Sequence, residues 1–164
     1  MKPRHRMLLR AVVSIFMVLV AAAGSFLIKD FLSLSNPQNA LPKIQVSVGG
    51  SQLPSNYLVL ASYSWRFLLV PHEEITAPTD VWADIESYPA PAGQPLEIGF
   101  SYHCKEMYVS RLDEGSTMFL PVSGADGGLY TPTPPEPGTI YVYRVEAFWG
   151  WLGSVQYYFT LYIV

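Results

Sequence analysis

Few side chains in this sequence could carry out chemistry. Beyond residue 10 there are two histidines, His72 and His103, and one cysteine, Cys104. Acyl transfer needs a nucleophile, a base within hydrogen-bond reach and an acid that orients the base. His72 lies in "VPHEE" beside Glu73 and Glu74, which reads as a solvated polar loop, and no Gly-x-Ser-x-Gly turn presents a serine. A single cysteine forms no disulfide within the chain and lacks the partners of a zinc site. In a strand, adjacent His103 and Cys104 would point to opposite faces, so Cys104 reads as a buried or half-buried thiol.

Paired carboxylates would be the other route, through glycoside hydrolysis. Asp80, Asp84, Glu86, Asp113, Glu114 and Asp126 stand mostly beside turn residues, where acids are ordinarily solvated. "SGADGG" around Asp126 lacks the repeated oxygen ligands of a calcium loop. No glycine-rich phosphate loop leads into a helix. The sequence therefore predicts no catalytic, cofactor-binding or metal-ligating set, and an enzyme is not expected. A secreted hydrolase using carboxylates that the sequence does not pair is the remaining catalytic alternative.

The other conspicuous residues are aromatic: 11 Tyr, 8 Phe and 4 Trp in the whole chain, nine of them in "PGTIYVYRVEAFWGWLGSVQYYFTLYIV". Such residues favour pleated strands. Most of them alternate and belong to a sheet face, but in "GWLGS" Trp151 and Leu152 fall where a polar turn is expected. Two fates are open for Trp151. It folds back on the core, or it is an exposed contact for a ligand, a partner or a membrane.

These residues need a scaffold. Lys2, Arg4, Arg6 and Arg10 precede 18 uncharged residues, 11–28, which as a helix span about 27 Å, close to the hydrocarbon thickness of a bilayer. The basic flank should stay cytoplasmic. The expected layout is a basic tail over 1–10, a transmembrane helix over 11–32, a spacer over 33–43 and an extracytoplasmic domain over 44–164. A cleaved signal peptide is the competing reading, because "AAAG" at 21–24 offers the small residues a signal peptidase needs. No cysteine follows the apolar run for a lipid anchor. A net charge of -3, with no basic stripe beyond residue 10, gives no footprint for nucleic acid.

From residue 44 onward short alternating runs are separated by Pro and Gly clusters, as in a sandwich or barrel. "KIQVSV" alternates, "NYLVLASYSWRFLL" reads as strand with an irregular continuation, and a short strand is expected around 81–85. "PLEIGFSY" alternates most cleanly, with "EMYVSRL" as its expected hairpin partner. "STMFLPV" and "GLY" give short pieces, and two long strands are expected over 138–148 and 155–163. The Pro-rich "YTPTPPEPG" reads as a rigid loop. About eight strands result.

"EPGTIYVYRVEAFW" resembles the corner and penultimate strand of fibronectin type III and related immunoglobulin-like domains. That resemblance implies an all-β, immunoglobulin-like antiparallel sandwich, with Tyr141 as a corner residue whose hydroxyl bonds to backbone a few residues upstream. Tyr141, Tyr143, Val145 and Ala147 would then face the core. Residues 44–164 also resemble single-domain surface proteins of Gram-positive bacteria, through Tyr63-Ser64-Trp65, the strand at 96–100 and the closing hairpin at 141–161. That group carries no assigned activity, so the resemblance implies fold and location. The chain departs from it at the "GWLGS" tip. The expected function is a non-catalytic binding or interaction module at a bacterial cell surface, tethered by its helix, with a protein or cell-wall glycan partner and no cofactor. The alternative within that class is a carbohydrate-binding module using exposed aromatics.

Overall fold

A computed structural model describes the backbone of residues 3–67, 70–76, 84–113, 115, 118–125 and 128–164, and their side chains outside 3–11, 29–30, 32–35 and 123–125. The chain divides into two compact units, Met1–Ala40 with Phe67–Val70, and Leu41–Arg66 with Pro71–Val164.

The first unit contains helix α1, Pro3–Ser35, and a short helix α2, Pro37–Ala40. Proline fits a first helical turn and disfavours helix at the residue before it, so Pro37 ends α1 and opens α2. Helical structure thus reaches into the segment expected to be a spacer. Counted over the described residues, no helix is long and apolar enough to cross a membrane. Within α1 the side chains described without a break are 12–28, and the large apolar ones among them are exposed all round the helix.

The rest of the chain is all-β, with eleven strands among the described residues rather than about eight. They are β1 (Ile44–Val48), β2 (Ser51–Gln52), β3 (Val59–Phe67), β4 (Val70–Ile75), β5 (Tyr88–Ala90), β6 (Pro95–Phe100), β7 (Glu106–Asp113), β8 (Leu120–Ala125), β9 (Leu129–Pro132), β10 (Ile140–Phe148) and β11 (Gly153–Ile163). The small sheet runs β2-β1-β6-β9. The large sheet runs β4-β3-β11-β10-β7-β8, and β5 lies parallel to β11.

Three expectations are corrected. β6 and β7 are not a hairpin: β6 pairs with β1 and β9 in the small sheet, whereas β7 pairs with β10 and β8 in the large one. Alternation assigns a residue to a face, not a strand to a partner, so the crossing over 101–105 leaves no periodic signal. His72 sits in β4, not in a loop. His103 and Cys104 lie in that crossing, outside any strand, with Cys104 buried. Of the strand expected over 81–85, residues 81–83 lie outside the described residues, and Asp84 and Ile85 form a bend.

The core is the space between the sheets. Val46, Val48, Leu96 and Ile98 enter from the small sheet, and Met107, Val109, Tyr143, Val145, Ala147 and Phe159 enter from the large one, all buried. Burying each large apolar side chain contributes about 1.5–3 kcal/mol. Tyr143 and Phe159 are direct partners in the β10–β11 register, and their rings stack 4.8 Å apart. A smaller cluster of Ala61, Leu112, Val142 and Tyr158 is covered by Ile85 and Phe119. Leu112, Val142 and Tyr158 alternate with core residues, so this cluster occupies the outer face of the large sheet.

The β10–β11 connection depends on one glycine. Gly153 has φ +138, and a Cβ placed there would lie 2.0 Å from the Ser64 carbonyl oxygen on β3. Gly153→Ala should therefore destabilise the domain by about 3 kcal/mol or more, combining overpacking with a strained backbone. Urea unfolding followed by tryptophan fluorescence is the check, with Gly99→Ala, where an added Cβ meets nothing within 4 Å, as the tolerated control.

Candidate functional site

The hairpin tip, where the sequence predicts a contact, turns through a short 3₁₀ segment, Gly150–Leu152. Trp151 is exposed (66%) and Leu152 is half-buried, so of the two fates open to Trp151 the exposed one is observed. Its neighbour Trp149 carries the inward role. It packs edge-on to Trp65 (5.5 Å) and Phe100 (5.1 Å), with half-exposed Tyr102 at 5.6 Å. The signal was present in the alternation: Phe148 faces out, so Trp149 falls inward. Its indole Nε1 is buried with no hydrogen-bond partner, an unfavourable state for a donor.

Tyr141 is buried near the start of β10. Its hydroxyl donates to Glu136 Oε2 at 2.5 Å, so the acceptor is a carboxylate five residues upstream rather than backbone. Arg111 lies 4.8 Å from the centre of the Tyr141 ring and binds Asp113 through Nε–Oδ1 (2.5 Å) and a second guanidinium nitrogen (3.1 Å). In the β7–β10 register Arg111 opposes Tyr143 and Asp113 opposes Tyr141, which puts all four on one face. Burial, reinforced by the bond to Glu136, pushes the Tyr141 phenol up to about 12. Burial does the same to Tyr143, against the opposing pull of Arg111.

Two open grooves lie on the outer faces of the sheets. The one on the large sheet, about 560 Å³, gathers Ser62, Ser64, Glu73, Glu146, Phe148 and Gln156. Its polar groups are engaged with one another. Ser64 donates to Glu73 (3.0 Å), Ser62 donates to Gln156 Oε1 (3.0 Å), and Gln156 Nε2 donates to Glu146 (3.4 Å). Glu74 accepts from Tyr63 (2.6 Å), whose hydroxyl also meets His72 Nδ1 at 3.1 Å, and Arg144 pairs with Glu146 at 3.4 Å. Burial first, then Glu74, raises Tyr63 to about 12. The groove on the small sheet, about 760 Å³, is lined by Gln45, Ser47, Gln52, Glu97, Tyr102 and Tyr130 among others. Alternation in "KIQVSV" and "PLEIGF" put several of these outward, but only strand pairing reveals that they adjoin.

The remaining acids disperse. Glu86 accepts from Tyr57 at 3.5 Å, Asp84 is exposed, and Asp80, Glu114 and Asp126 lie outside the described residues. Among the described residues no three His, Cys, Asp or Glu side chains are grouped to hold a metal ion. The chain matches no protein-family model and no curated protein.

Two measurements follow from this geometry. Trp151→Ala should leave stability within about 0.5 kcal/mol, whereas Trp149→Ala should cost about 3–5 kcal/mol, as read by chemical denaturation. The folded chain holds Tyr143 neutral to about pH 12, while an unfolded tyrosine ionises near 10, so the neutral form stabilises the fold. That contribution is complete below about pH 10 and declines toward pH 12 at about 1.4 kcal/mol per pH unit. Tyr143→Phe should make the alkaline limb of a stability-against-pH curve shallower by that share, leaving the contributions of Tyr63 and Tyr141 in place.

Proposed function

We propose that this chain is a non-catalytic binding module: an immunoglobulin-like sandwich held beside a membrane by its N-terminal helix, on the extracytoplasmic side of a bacterial surface. The observation that carries the reading is the continuous stretch of α1 over 12–28, uncharged and with its large apolar side chains exposed around the whole helix. A helix apolar on all sides calls for an apolar surrounding. Ser25 hydrogen-bonds back to the Ala21 and Ala22 carbonyl oxygens (3.0 and 2.9 Å), so its hydroxyl is satisfied within the helix. The basic residues on the amino-terminal flank favour that end in the cytoplasm.

The strand order supports the immunoglobulin-like part of the reading. β1, β6 and β9 share one sheet and β7, β10 and β11 the other, a partition like the A-B-E and C-F-G sets of such domains, with β2, β3, β4, β5 and β8 additional to it, and Tyr141 stands near the start of β10. Binding rather than catalysis is favoured because the acids of the large-sheet groove are tied to neighbouring hydroxyls and amides. Exposed tyrosines on the outer faces, Tyr108 and Tyr130 among them, supply contact surface.

The topology is tested on the full chain expressed in a Gram-positive host. Carbonate washing should leave it in the membrane, and protease added to intact protoplasts should digest the β-domain. Complete protection of the domain, or recovery of the uncleaved chain in the soluble fraction, overturns the tethered arrangement.

A further inference from the structure

We propose that the outer face of the small sheet is a binding site for a neutral polysaccharide chain, with the glycan crossing the strands over Gly99. The inference deepens the binding-module reading and rests on it.

The register builds the site. Gln52 pairs with Ser47, Ser47 with Glu97, and Glu97 with Tyr130, so four outward side chains form one row across β2, β1, β6 and β9. Three strand spacings make that row about 14 Å long. In the next outward row Gln45 faces Gly99, which has no side chain. A Cβ built on Gly99 would meet nothing within 4 Å, so the surface there is an open trough rather than a site of backbone contact. Tyr130 stands on the edge strand at 68% exposure. Tyr102 follows the end of β6 at 43%, its ring propped against buried Trp149.

This is the chemistry of a sugar chain. A pyranose ring has one face of C–H groups, which suits a fixed, exposed aromatic ring, and hydroxyls around its rim, which act as donors and acceptors together. Glutamine amides and serine hydroxyls offer both roles, and a carboxylate accepts. The groove is lined by no lysine or arginine; its lining includes His103, beyond the end of β6, and the carboxylate of Glu97 within the row. That charge repels phosphate and nucleic acid and leaves an uncharged polymer as the complementary ligand. A protein partner would want an apolar centre that this polar row does not provide. On the large sheet, by contrast, the corresponding polar groups are bonded among themselves.

The trough also provides the test. Gly99→Val places a side chain into open space on a strand that favours β-branched residues, so it should fold normally while filling the site. Full-length chain in a detergent without a sugar headgroup is titrated calorimetrically with the hexasaccharide of N-acetylglucosamine and, separately, that of glucose. Saturable binding to at least one is expected, weakened tenfold or more by Gly99→Val and by Tyr130→Ala. Their thermal midpoints should stay within about 3 °C of the parent. Trp151→Ala should bind as the parent does.

Unchanged affinity in both groove variants overturns the site. Binding lost only in Trp151→Ala moves the glycan to the hairpin tip, which also overturns it while the binding-module reading stands. No heat with either sugar at millimolar concentration, or binding only to a polyanionic polymer, refutes the neutral-glycan assignment. The membrane-extraction experiment then decides independently whether the tethered module survives.

Discussion

The antiparallel pairing of β10 with β11 runs through nine residue pairs without a shift, from Ile140 opposite Tyr162 to Phe148 opposite Ser154. Because side chains alternate strictly, this register decides which residues of both strands face the core, and one slip would turn all of them outward. The neighbours on either side inherit the choice: β7 joins β10, and β3 joins β11. The stacked rings of Tyr143 and Phe159 lie at its centre, and the Trp149 cluster closes one end. At that end the Trp149 backbone N–H donates to the Gly153 carbonyl oxygen (2.8 Å). The sandwich, its outer grooves and its exposed tip are positioned by this pair of strands.

Much of this was legible in the sequence because alternation is a local property. That Leu96, Ile98 and Phe100 share one face, and Tyr141, Tyr143, Val145 and Ala147 another, follows from period two. What stayed hidden depends on partners distant in sequence. Val142 and Tyr158 are buried although they point away from the main core, because Phe119 and Ile85 fold over them. Ala61 joins them at a place where the β3–β11 register shifts, and no period predicts a bulge. Glu136 as the acceptor for Tyr141 was equally invisible, since a proline-rich loop carries no pattern that tells which side chain turns inward.

The same division applies to the surfaces. Trp151 was conspicuous because it broke a pattern, whereas Gln45, Ser47, Glu97 and Gly99 were inconspicuous because they fit one. Their adjacency comes from β1 lying beside β6, strands that begin some fifty residues apart in the chain. A strand whose inward half is needed for the core leaves its outward half free to vary. The outward half is therefore where a recognition surface can be written without cost to stability.

The strands at the borders of the two sheets have one further property in common. β4 contains Pro71, β8 contains Pro121 and β9 contains Pro132, while β2 is only two residues long. Proline offers no N–H to an incoming strand, and two residues are too few to template one. Pro71 is followed by Glu73 and Glu74, which add charge repulsion at that border. Among the described residues, each border thus carries a proline or is cut short. Such borders disfavour edge-to-edge pairing between copies of the domain.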